Sequence, residues 1–538
     1  MKLKFSTSGL LLLALGLSFS SVQASDSYDC DYDLRDGAFF YNANNPATDG
    51  NGNAQQNELL VFLRNADGTL DPNIQTHRVN SGGYGNQAGI VTSGQNAVYH
   101  TGEGDDQYVF MINAGFNPVA KPRRLGYGKH WNKKRLDRNG SVSAFKVNKC
   151  DVVRTSVRST RGQEPRAVTR HGNLVYVVNA GSGEVEFNGC PGLPEGFLPP
   201  TGQVCGERAE ISEDNKDPQS ITGYRFRNGK LRYIRGSNIN SADADGDPVQ
   251  LSFINEGRQL LVANRNTFFA LGDGTEADEI EVHNIDKRGR PSYPVVSTTT
   301  GNDNFGFSVY PRDGDDYNDC VMMTHGSFQQ RDQGGASVFT INKRAEKVRI
   351  IPNKADGGSD TCWTAISAKT NTLYTSAFFD SEISIRGINP ETCNLTDGGP
   401  PVVVVDGVPQ FTGPLANIRH RVSSSGANFD GTPRGDDISL RTDQRDFLYE
   451  AGGLDLAVSK AGEEEYLYAI WAPVPFYVDR DGDGNFLYPN TTQITVFRVI
   501  QDCDGVDSMY EDGCRPGDLE LVQRVPGLPG SGYGAAAQ

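Results

Sequence analysis

A strand-like phrase recurs along the 538-residue chain and limits its fold more than any other feature. Each copy is an apolar run, rich in β-branched and aromatic residues, that ends in Asn-Ala-Gly or a variant of it. A second such run follows after a gap, and Gly, Asp, Asn or Pro bounds both runs, which is typical of paired β-strands. The copies are Tyr108–Gly115, Leu174–Gly181, Leu260–Asn264, Val321–His325, Leu373–Ala377 and Leu467–Trp471.

Units of this kind predict a β-propeller. Four strands in each stretch of roughly 50 to 90 residues make one blade of such a fold. A single blade cannot bury both of its faces, so the blades must repeat and stack. An inner strand is expected before each copy of the phrase, at residues 87–91, 165–168, 248–253, 305–309, 362–366 and 453–458.

A seventh unit is split between the two ends of the chain. Residues 37–44 read as its second strand and residues 58–64 as its third, with no inner strand before them. Residues 532–537 resemble an inner strand that nothing follows. The sequence therefore predicts an all-β, seven-bladed propeller that its C-terminal strand closes, which removes open sheet edges.

The N-terminus resembles a secretory signal peptide. Lys2 and Lys4 precede the apolar run 9–17, and Ala24 ends a small-residue cleavage site. The alternative is an uncleaved anchor, but the run is shorter than the ~20 residues that a membrane span needs. We expect a signal peptide at 1–24, a single propeller domain at 25–538, and an extracellular location, or a periplasmic one in a bacterium.

All nine cysteines follow residue 24, and an exported chain should oxidise them. Cys190 with Cys205, and Cys503 with Cys514, have the spacing of short loop disulfides. Because nine is odd, at least one thiol remains or pairs between chains. Cys362, on an apolar inner strand, is the candidate for that thiol.

At the level of whole segments, the chain resembles the lactonase family of seven-bladed propellers, which includes 6-phosphogluconolactonase-type and 3-carboxymuconate-cyclase-like proteins. The resemblance covers nearly all of residues 37–538, and the phrase at 173–182 is also similar to the Tyr-Val-Thr-Asn repeat of related propellers. It implies a seven-bladed fold and an active site at one mouth of the central channel. The segments that carry it are 164–185, 247–267, 304–314, 360–378 and 519–532.

The chain departs from compact members of that family at three insertions. One is basic, at 116–139; one is long and polar, at roughly 409–447; and one is acidic with two cysteines, at 502–518. We expect all three to lie in loops, where propellers carry functional residues.

The channel mouth is where chemistry is expected, because inner strands start there and second strands end there. His325 ends a second strand at a position where other copies have Asn, and His is suited to acid/base work near neutral pH. Arg166, at an inner-strand start where many lactonase-like sequences carry His, could hold a carboxylate or an oxyanion. Glu450 precedes the last inner strand and is a candidate second base. The alternative is that these are solvated polar residues at loop ends.

A candidate cation loop lies at Asp479, Asp481 and Asp483, followed by Gly484. Carboxylates at positions 1, 3 and 5 with Gly at 6 match the start of a calcium loop, but Asn490 stands at position 12. We expect no required cofactor, and either a structural calcium or a solvated turn at this loop. Asp243–Asp247 is a weaker motif of the same kind.

The basic insertion stands out because the whole chain has a net charge of −16. Its cations and aromatic ring suit an acidic polysaccharide or another anion, whereas the alternative is a solvated loop beside acidic neighbours. The acidic balance argues against nucleic acid as a partner. The candidate binding residues are Arg123, Arg124, Trp131, Lys133 and Lys134.

Two functions of different classes remain open at this point. The first is an enzyme that hydrolyses or forms a small acidic or sugar-derived lactone by metal-independent acid/base chemistry, with His325, Arg166 and Glu450 in its site. The second is a non-catalytic extracellular or matrix propeller that contacts acidic polymers or proteins through the basic loop. In either case we expect a monomer with no membrane span.

Overall fold

The computed structural model describes residues 30–45, 53–71, 77–85, 95–115, 140–181, 218–242, 247–265, 278–299, 304–312, 319–326, 334–355, 361–377, 382–396, 402–405, 408–411, 420–423, 452–461, 463–472, 491–503, 514–529 and 534–538. Within these ranges the regular secondary structure is β-strand, apart from one short 3₁₀ turn at Gly104–Asp106. None of the helical structure found in these ranges is long and apolar enough to cross a lipid bilayer.

Seven sheets of four or more antiparallel strands form the blades of a β-propeller, as predicted. Blades are numbered here from the N-terminus. Blade 1 contains β1 (Ala38–Asn42), β2 (Glu58–Leu63) and β3 (His77–Asn80), and blade 2 contains β4 (Val98–Thr101), β5 (Tyr108–Asn113), β6 (Ser141–Val147) and β7 (Val152–Ser159). Blade 3 contains β8 (Pro165–His171), β9 (Leu174–Asn179), β10 (Ser220–Arg227), β11 (Lys230–Tyr233) and the short β12 (Ile239–Asn240).

The remaining blades repeat the same up-and-down order. Blade 4 contains β13 (Asp247–Ile254), β14 (Gln259–Arg265), β15 (Glu279–Asn284) and β16 (Val295–Thr298), and blade 5 contains β17 (Asn304–Tyr310), β18 (Cys320–His325), β19 (Gly335–Ile341) and β20 (Lys347–Ala355). Blade 6 contains β21 (Thr361–Ser367), β22 (Thr372–Ala377), β23 (Glu382–Gly387) and β26 (His420–Ser423), with the hairpin β24 (Val402–Val405) and β25 (Val408–Phe411) apart from it. Blade 7 contains β27 (Gly452–Ala461), β28 (Glu464–Ala472), β29 (Thr491–Val499) and β30 (Leu519–Pro529).

The C-terminal strand closes the ring, as the sequence predicts. It is β31 (Ala535–Ala537), and it pairs antiparallel with β1, where Phe40 lies opposite Ala536. The last strand of the chain thus becomes the inner strand of blade 1. Closure of this kind leaves no open sheet edge between the first and last blades.

Two details of the sequence analysis need correction. The inner strand of blade 2 is β4, whereas the residues predicted for it, 87–91, lie outside the described residues. The insertion at 409–447 is also not all loop. It contributes β26, which pairs with β23 as the outer strand of blade 6.

The apolar core lies between neighbouring blades, where aromatic side chains pack in edge-on pairs. Three second-strand tyrosines also make the same kind of hydrogen bond, each from its own blade to the following blade. Tyr176 donates to the Gly289 carbonyl at 2.6 Å, Tyr374 to Gly517 at 2.8 Å and Tyr468 to Gly68 at 2.8 Å. Each of these glycines has a positive φ in an outer hairpin, a conformation that strongly favours glycine.

Side-chain amides satisfy backbone groups at the inner edges that face the channel. Gln250 on β13 accepts from the Phe307 amide and donates to its carbonyl at 2.8 Å. Gln95, just before β4, makes the same pair of bonds with Thr364 on β21, across the channel in blade 6. The Gln95 side chain therefore reaches across the channel, and the inner strand β4 that follows has only four residues.

The disulfides in the described part of the chain are Cys30–Cys150, Cys320–Cys393 and Cys503–Cys514. The third confirms the predicted short loop disulfide, and Cys362 is a buried thiol as expected. Cys190 and Cys205 lie outside the described residues. Three disulfides indicate that the chain folds in an oxidising, non-cytoplasmic compartment.

Candidate active site at the channel mouth

One end of the blades brings inner-strand starts beside second-strand ends. The register shows this in three neighbouring blades, where Pro165 lies opposite Asn179, Asp247 opposite Arg265, and Asn304 opposite His325. Side chains at these positions converge on one mouth of the channel, as expected for a propeller.

A charged cluster occupies the mouth at blades 3 and 4. Arg166, the second residue of β8, places its Nη2 3.3 Å from Asp247 Oδ1 at the start of β13. Arg265, the last residue of β14, binds the other oxygen of the same carboxylate. Both arginines are almost completely buried. A single carboxylate therefore lies between two guanidinium groups contributed by different strands.

Asp247 is held ionised in this cluster. Burial opposes its ionisation, but the charges of Arg166 and Arg265 outweigh burial and lower its pKa. The Arg265 guanidinium also lies 4.9 Å from the Phe305 ring centre, a cation–π contact with the inner strand of blade 5. These contacts hold both arginines in place.

Glu164 supplies a partly exposed carboxylate next to this cluster. Its Oε2 lies 3.5 Å from Arg166 Nη2, and its side chain is 31% exposed. Glu164 has a φ of 46°, in the left-handed region that a non-glycine residue seldom adopts. Backbone strain of this type is often found at functional sites.

His325 is fully buried at the end of β18. Its Nε2 lies 2.7 Å from Ser337 Oγ, while Nδ1 has no hydrogen-bond partner in the described part of the chain. Burial, with a smaller effect of Lys347, lowers its pKa to about 3, so the imidazole is neutral near pH 7. In this conformation the ring is a weak base, and its unpartnered Nδ1 can act as a hydrogen-bond acceptor or donor according to its tautomer.

The residue in the place of His325 is Asn in blades 2 and 3, and there its side chain fastens the second strand to the third. Asn113 donates to Ser143 Oγ at 2.9 Å, and Asn179 donates to Ser220 Oγ at 3.3 Å. In blade 1 the equivalent residue is Asn42, which ends β1. Asn44 has a positive φ and matches the glycine of the repeated phrase.

The structure places Arg166 and His325 at the same mouth but not in contact with each other. Among the described residues, Arg166 binds Asp247, and Asp247 also binds Arg265. His325 lies in the next blade, blade 5, where it is opposite Asn304. Asp247 belonged to the weaker cation motif, but its carboxylate is engaged by two arginines instead.

The other predicted site residues lie outside the described residues. They are the catalytic candidate Glu450, the cation-loop residues Asp479, Asp481 and Asp483, and the basic-loop residues Arg123, Arg124, Trp131, Lys133 and Lys134. Their assignments stay predictions. Within the described ranges, no three His, Cys, Asp or Glu side chains come together as a metal site.

Sequence reasoning missed three charged groups near the channel. Arg265 directly follows the strand-end Asn264 and was visible as a cation at the mouth, and Glu164 directly precedes an inner strand. The third is Asp455 in β27, where an acidic residue interrupts an otherwise apolar strand. An isolated carboxylate in such a strand was the available signal.

No family model matches the chain, and no curated protein matches it in sequence. Solved structures do match in fold. The chain is similar to the periplasmic gluconolactonase of Pseudomonas aeruginosa, at 13% identity and a TM-score of 0.47 over 93% of this chain and 98% of that one. It is similar to a hypothetical selenium-binding protein of Sulfolobus tokodaii, at 11% identity and a TM-score of 0.47 over 95% and 94% of the two chains.

A third similar structure is a candidate 6-phosphogluconolactonase of Bacteroides uniformis, at 14% identity and a TM-score of 0.33 over 70% of this chain and 100% of that one. The seven-bladed fold that the resemblance to lactonase propellers implies is confirmed by the sheets described above. Because one propeller fold supports many activities, the function of this chain has to be argued from its own residues.

Proposed function

We propose that this protein is an exported lactonase- or cyclase-like enzyme that acts on a small acidic or sugar-derived lactone at the channel mouth. The observation that carries this proposal is the cluster of Arg166, Asp247 and Arg265, with the Glu164 carboxylate beside it. Two buried guanidinium groups at a channel mouth suit a substrate that carries a carboxylate or develops an oxyanion.

In the hydrolytic direction, water adds to the lactone carbonyl and the ring C–O bond breaks. A carboxylate base accepts the water proton, which finally reaches the departing alkoxide oxygen, so that the product is an open-chain hydroxy acid. Glu164 and the predicted Glu450 are the candidates for that base. Arg166 would hold the substrate carboxylate or the oxyanion, and a neutral His325 would offer Nδ1 to the substrate as a hydrogen-bonding group.

The test is turnover of a panel of sugar-acid and muconate-type lactones by the full chain. We expect Arg166→Gln to lower kcat/KM by about 100-fold or more. Arg258→Gln is the matched control, because Arg258 pairs with Glu256 in the β13–β14 turn at the opposite end of blade 4. Equal loss in both variants, or in neither, would contradict the role of Arg166.

His325 needs a substitution that separates chemistry from structure. His325→Asn restores the residue that blades 2 and 3 use to fasten the same strands, while it removes the imidazole. A catalytic His325 loses turnover in this variant although the melting temperature is kept. If His325→Asn retains full turnover, the residue acts only as a strand fastener.

A folded chain with no turnover on any lactone would overturn this proposal and favour the non-catalytic propeller. Neutralising the cations among Arg123, Arg124, Lys133 and Lys134 should then abolish a salt-sensitive contact with an acidic polymer. The same proposal assigns a calcium ion at the Asp479 loop a structural role. In that case a chelator lowers the melting temperature without changing the rate.

A further inference from the structure

The outer hairpin of blade 3, formed by β10 and β11, carries a dense set of positive charges. Residues 225–235 contain five cations and no acidic residue, in a chain whose net charge is −16. All five residues are exposed. They are Arg225 and Arg227 on β10, Lys230 and Arg232 on β11, and Arg235 just after β11. The hairpin thus reverses locally the charge of the whole chain.

The strand register places four of these cations on one face of the hairpin. Arg225 lies opposite Arg232, and Arg227 lies opposite Lys230. Phe226, between the two arginines of β10, packs edge-on against aromatic rings of blade 2, so the cationic face is turned towards blade 4. Like charges directly opposite each other destabilise a sheet. The hairpin therefore keeps its cations although they lower its stability.

The turn between β15 and β16 of blade 4 extends the same surface. Arg225 Nη2 donates to the Arg288 carbonyl at 3.0 Å, which joins the turn to the hairpin. Lys287 and Arg288 are both exposed. The acidic residue of this turn, Asp286, is already bound by Arg290 at 2.8 Å. The turn therefore adds two further cations to those of blade 3.

These cations form what we call the outer cationic surface, and none of them makes an ion pair within the described part of the chain. Two of them bond to backbone carbonyls, Arg225 to Arg288 and Lys230 to Thr155 at 2.9 Å. No carboxylate among the described residues neutralises this surface. Its members are Arg225, Arg227, Lys230, Arg232, Arg235, Lys287 and Arg288.

The outer cationic surface lies at the end of the blades opposite the channel mouth. At the mouth end of blade 3, Ser220 on β10 lies opposite Asn179, which ends β9. Arg225 lies opposite Leu174, at the other end of β9. The surface is therefore separate from the Arg166 cluster, and binding there does not depend on the proposed lactonase activity.

We propose that the outer cationic surface binds an acidic polysaccharide through the carboxylates of its sugars. Five of the seven cations are arginines, whose planar guanidinium groups bind carboxylates in a bidentate way. Neighbouring cations lie about 7 Å apart along a strand and about 5 Å apart across the strand pair. A spread of charge of this kind suits a polymer with repeated carboxylates better than a single small anion.

Two observations favour a sugar polymer over an anionic membrane. Tyr293, which follows the β15–β16 turn, is 73% exposed and offers an aromatic ring on which a sugar can stack. The aliphatic residues of the hairpin, Leu231 and Ile234, are buried, so the hairpin has no aliphatic side chain to insert into a bilayer. The polymer would also relieve the repulsion between the opposed cations.

The experiment measures binding of the full chain to polygalacturonate over a range of salt concentrations. The fully methyl-esterified polymer is the uncharged control. The background variant is Arg123→Gln/Arg124→Gln/Lys133→Gln/Lys134→Gln, which removes the cations of the other candidate binding loop. We expect this variant to bind polygalacturonate with an affinity that falls as salt rises, and not to bind the ester.

Arg227→Gln/Arg232→Gln, made in that background, tests the surface itself. Neither side chain makes a hydrogen bond within the described ranges, and each faces a like charge across the hairpin. We expect binding about 10-fold weaker, with a melting temperature that is kept or slightly raised. The matched control is Lys343→Gln/Arg344→Gln, which removes two exposed cations from the β19–β20 turn of blade 5 and should leave binding unchanged.

Three results would overturn the proposal. One is a background variant that does not bind polygalacturonate even at low salt. Another is equal weakening by the test and control variants, which would mean that the charge of the whole chain controls binding. The third is tighter binding to single-stranded DNA or to phosphatidylglycerol vesicles, lost in Arg227→Gln/Arg232→Gln, which would assign the surface to a different polyanion.

Discussion

Two buried carboxyl groups near the channel, Asp247 and Asp455, have pKa values that are shifted in opposite directions. Asp247 lies between Arg166 and Arg265, and its pKa is lowered although the group is buried. Asp455, in the inner strand of blade 7, accepts hydrogen bonds from the backbone amides of Leu456 at 2.8 Å and Ala535 at 2.9 Å, and from no cation among the described residues. Burial raises its pKa to about 7. Burial alone therefore does not decide the charge of a carboxyl group; the neighbours do.

The two groups also serve different ends. Asp247 assembles positive charge at the mouth, where we propose that an anionic substrate binds. Asp455 accepts a hydrogen bond from the amide of Ala535, the first residue of β31, and so holds the strand that closes the ring. The cluster around Asp247 contains several charged side chains, whereas Asp455 is held by backbone amides.

The largest effect should follow from removing residues 534–538. This deletion takes away the β31 pairing with β1 and the Ala535 amide that Asp455 accepts. We expect the free energy of unfolding to fall by at least about 4 kcal/mol, from several backbone hydrogen bonds of about 1 kcal/mol each. Chemical denaturation measures it, with removal of Gln538 alone as the control; equal stability in all three chains would show that closure is dispensable.

The charged side is tested by Asp247→Ala. The substitution leaves two buried guanidinium groups without their shared carboxylate, which should cost about 3 to 5 kcal/mol. Asp286→Ala is the control, because Asp286 pairs with Arg290 on the surface, where solvent screens the pair, so its loss should cost much less. Urea denaturation compares the two variants, and a similar cost for both would mean that the cluster is effectively solvated.

The closing side is tested by pH. The folded pKa of Asp455 is raised from 3.8 to about 7, so its neutral form favours folding below pH 4 and that contribution is lost as pH rises towards 7. The wild-type chain should lose on the order of 4 kcal/mol across that window relative to Asp455→Asn. Asp247 has a lowered pKa, so its contribution is instead lost as pH falls below about 4. Parallel stability curves for wild type and Asp455→Asn between pH 4 and 7 would refute the assignment.

The smallest effect is expected from the tyrosine hydrogen bonds between blades, one of which lies near each of the two carboxyl groups. Tyr176→Phe, between blades 3 and 4, and Tyr468→Phe, between blades 7 and 1, each remove one buried hydrogen bond. We expect a loss of about 1 kcal/mol from each. A much larger loss for Tyr468→Phe than for Tyr176→Phe, measured in the same denaturation series, would show that the closing interface relies on its tie more than other interfaces do.

Much of the fold could be predicted because the repeat is local. Alternating apolar runs between turn residues define strands wherever they occur, and β5, β9 and β18 lie within one or two residues of the expected runs. This reasoning failed for the inner strand of blade 2. There Gln95 reaches across the channel to Thr364, a contact between residues that are 269 positions apart.

The candidate site was predicted less completely than the fold. Arg166 could be found because it opens an inner strand, but its partners Asp247 and Arg265 come from another blade. His325 could be found as an exception to the Asn pattern. Its burial, its bond to Ser337 and its pKa of about 3 depend on the packing around blade 5.

By itself, the sequence determined the class of fold, the count of blades and the closing role of the C-terminal strand, because strand period and repetition are properties of the chain. Only the tertiary structure decided which charges meet. It set two arginines around Asp247, and it gave Asp455 backbone amides rather than cations as partners within the described part of the chain. The physical reason is that electrostatic and ligand contacts depend on distances between blades, and no local pattern encodes those distances.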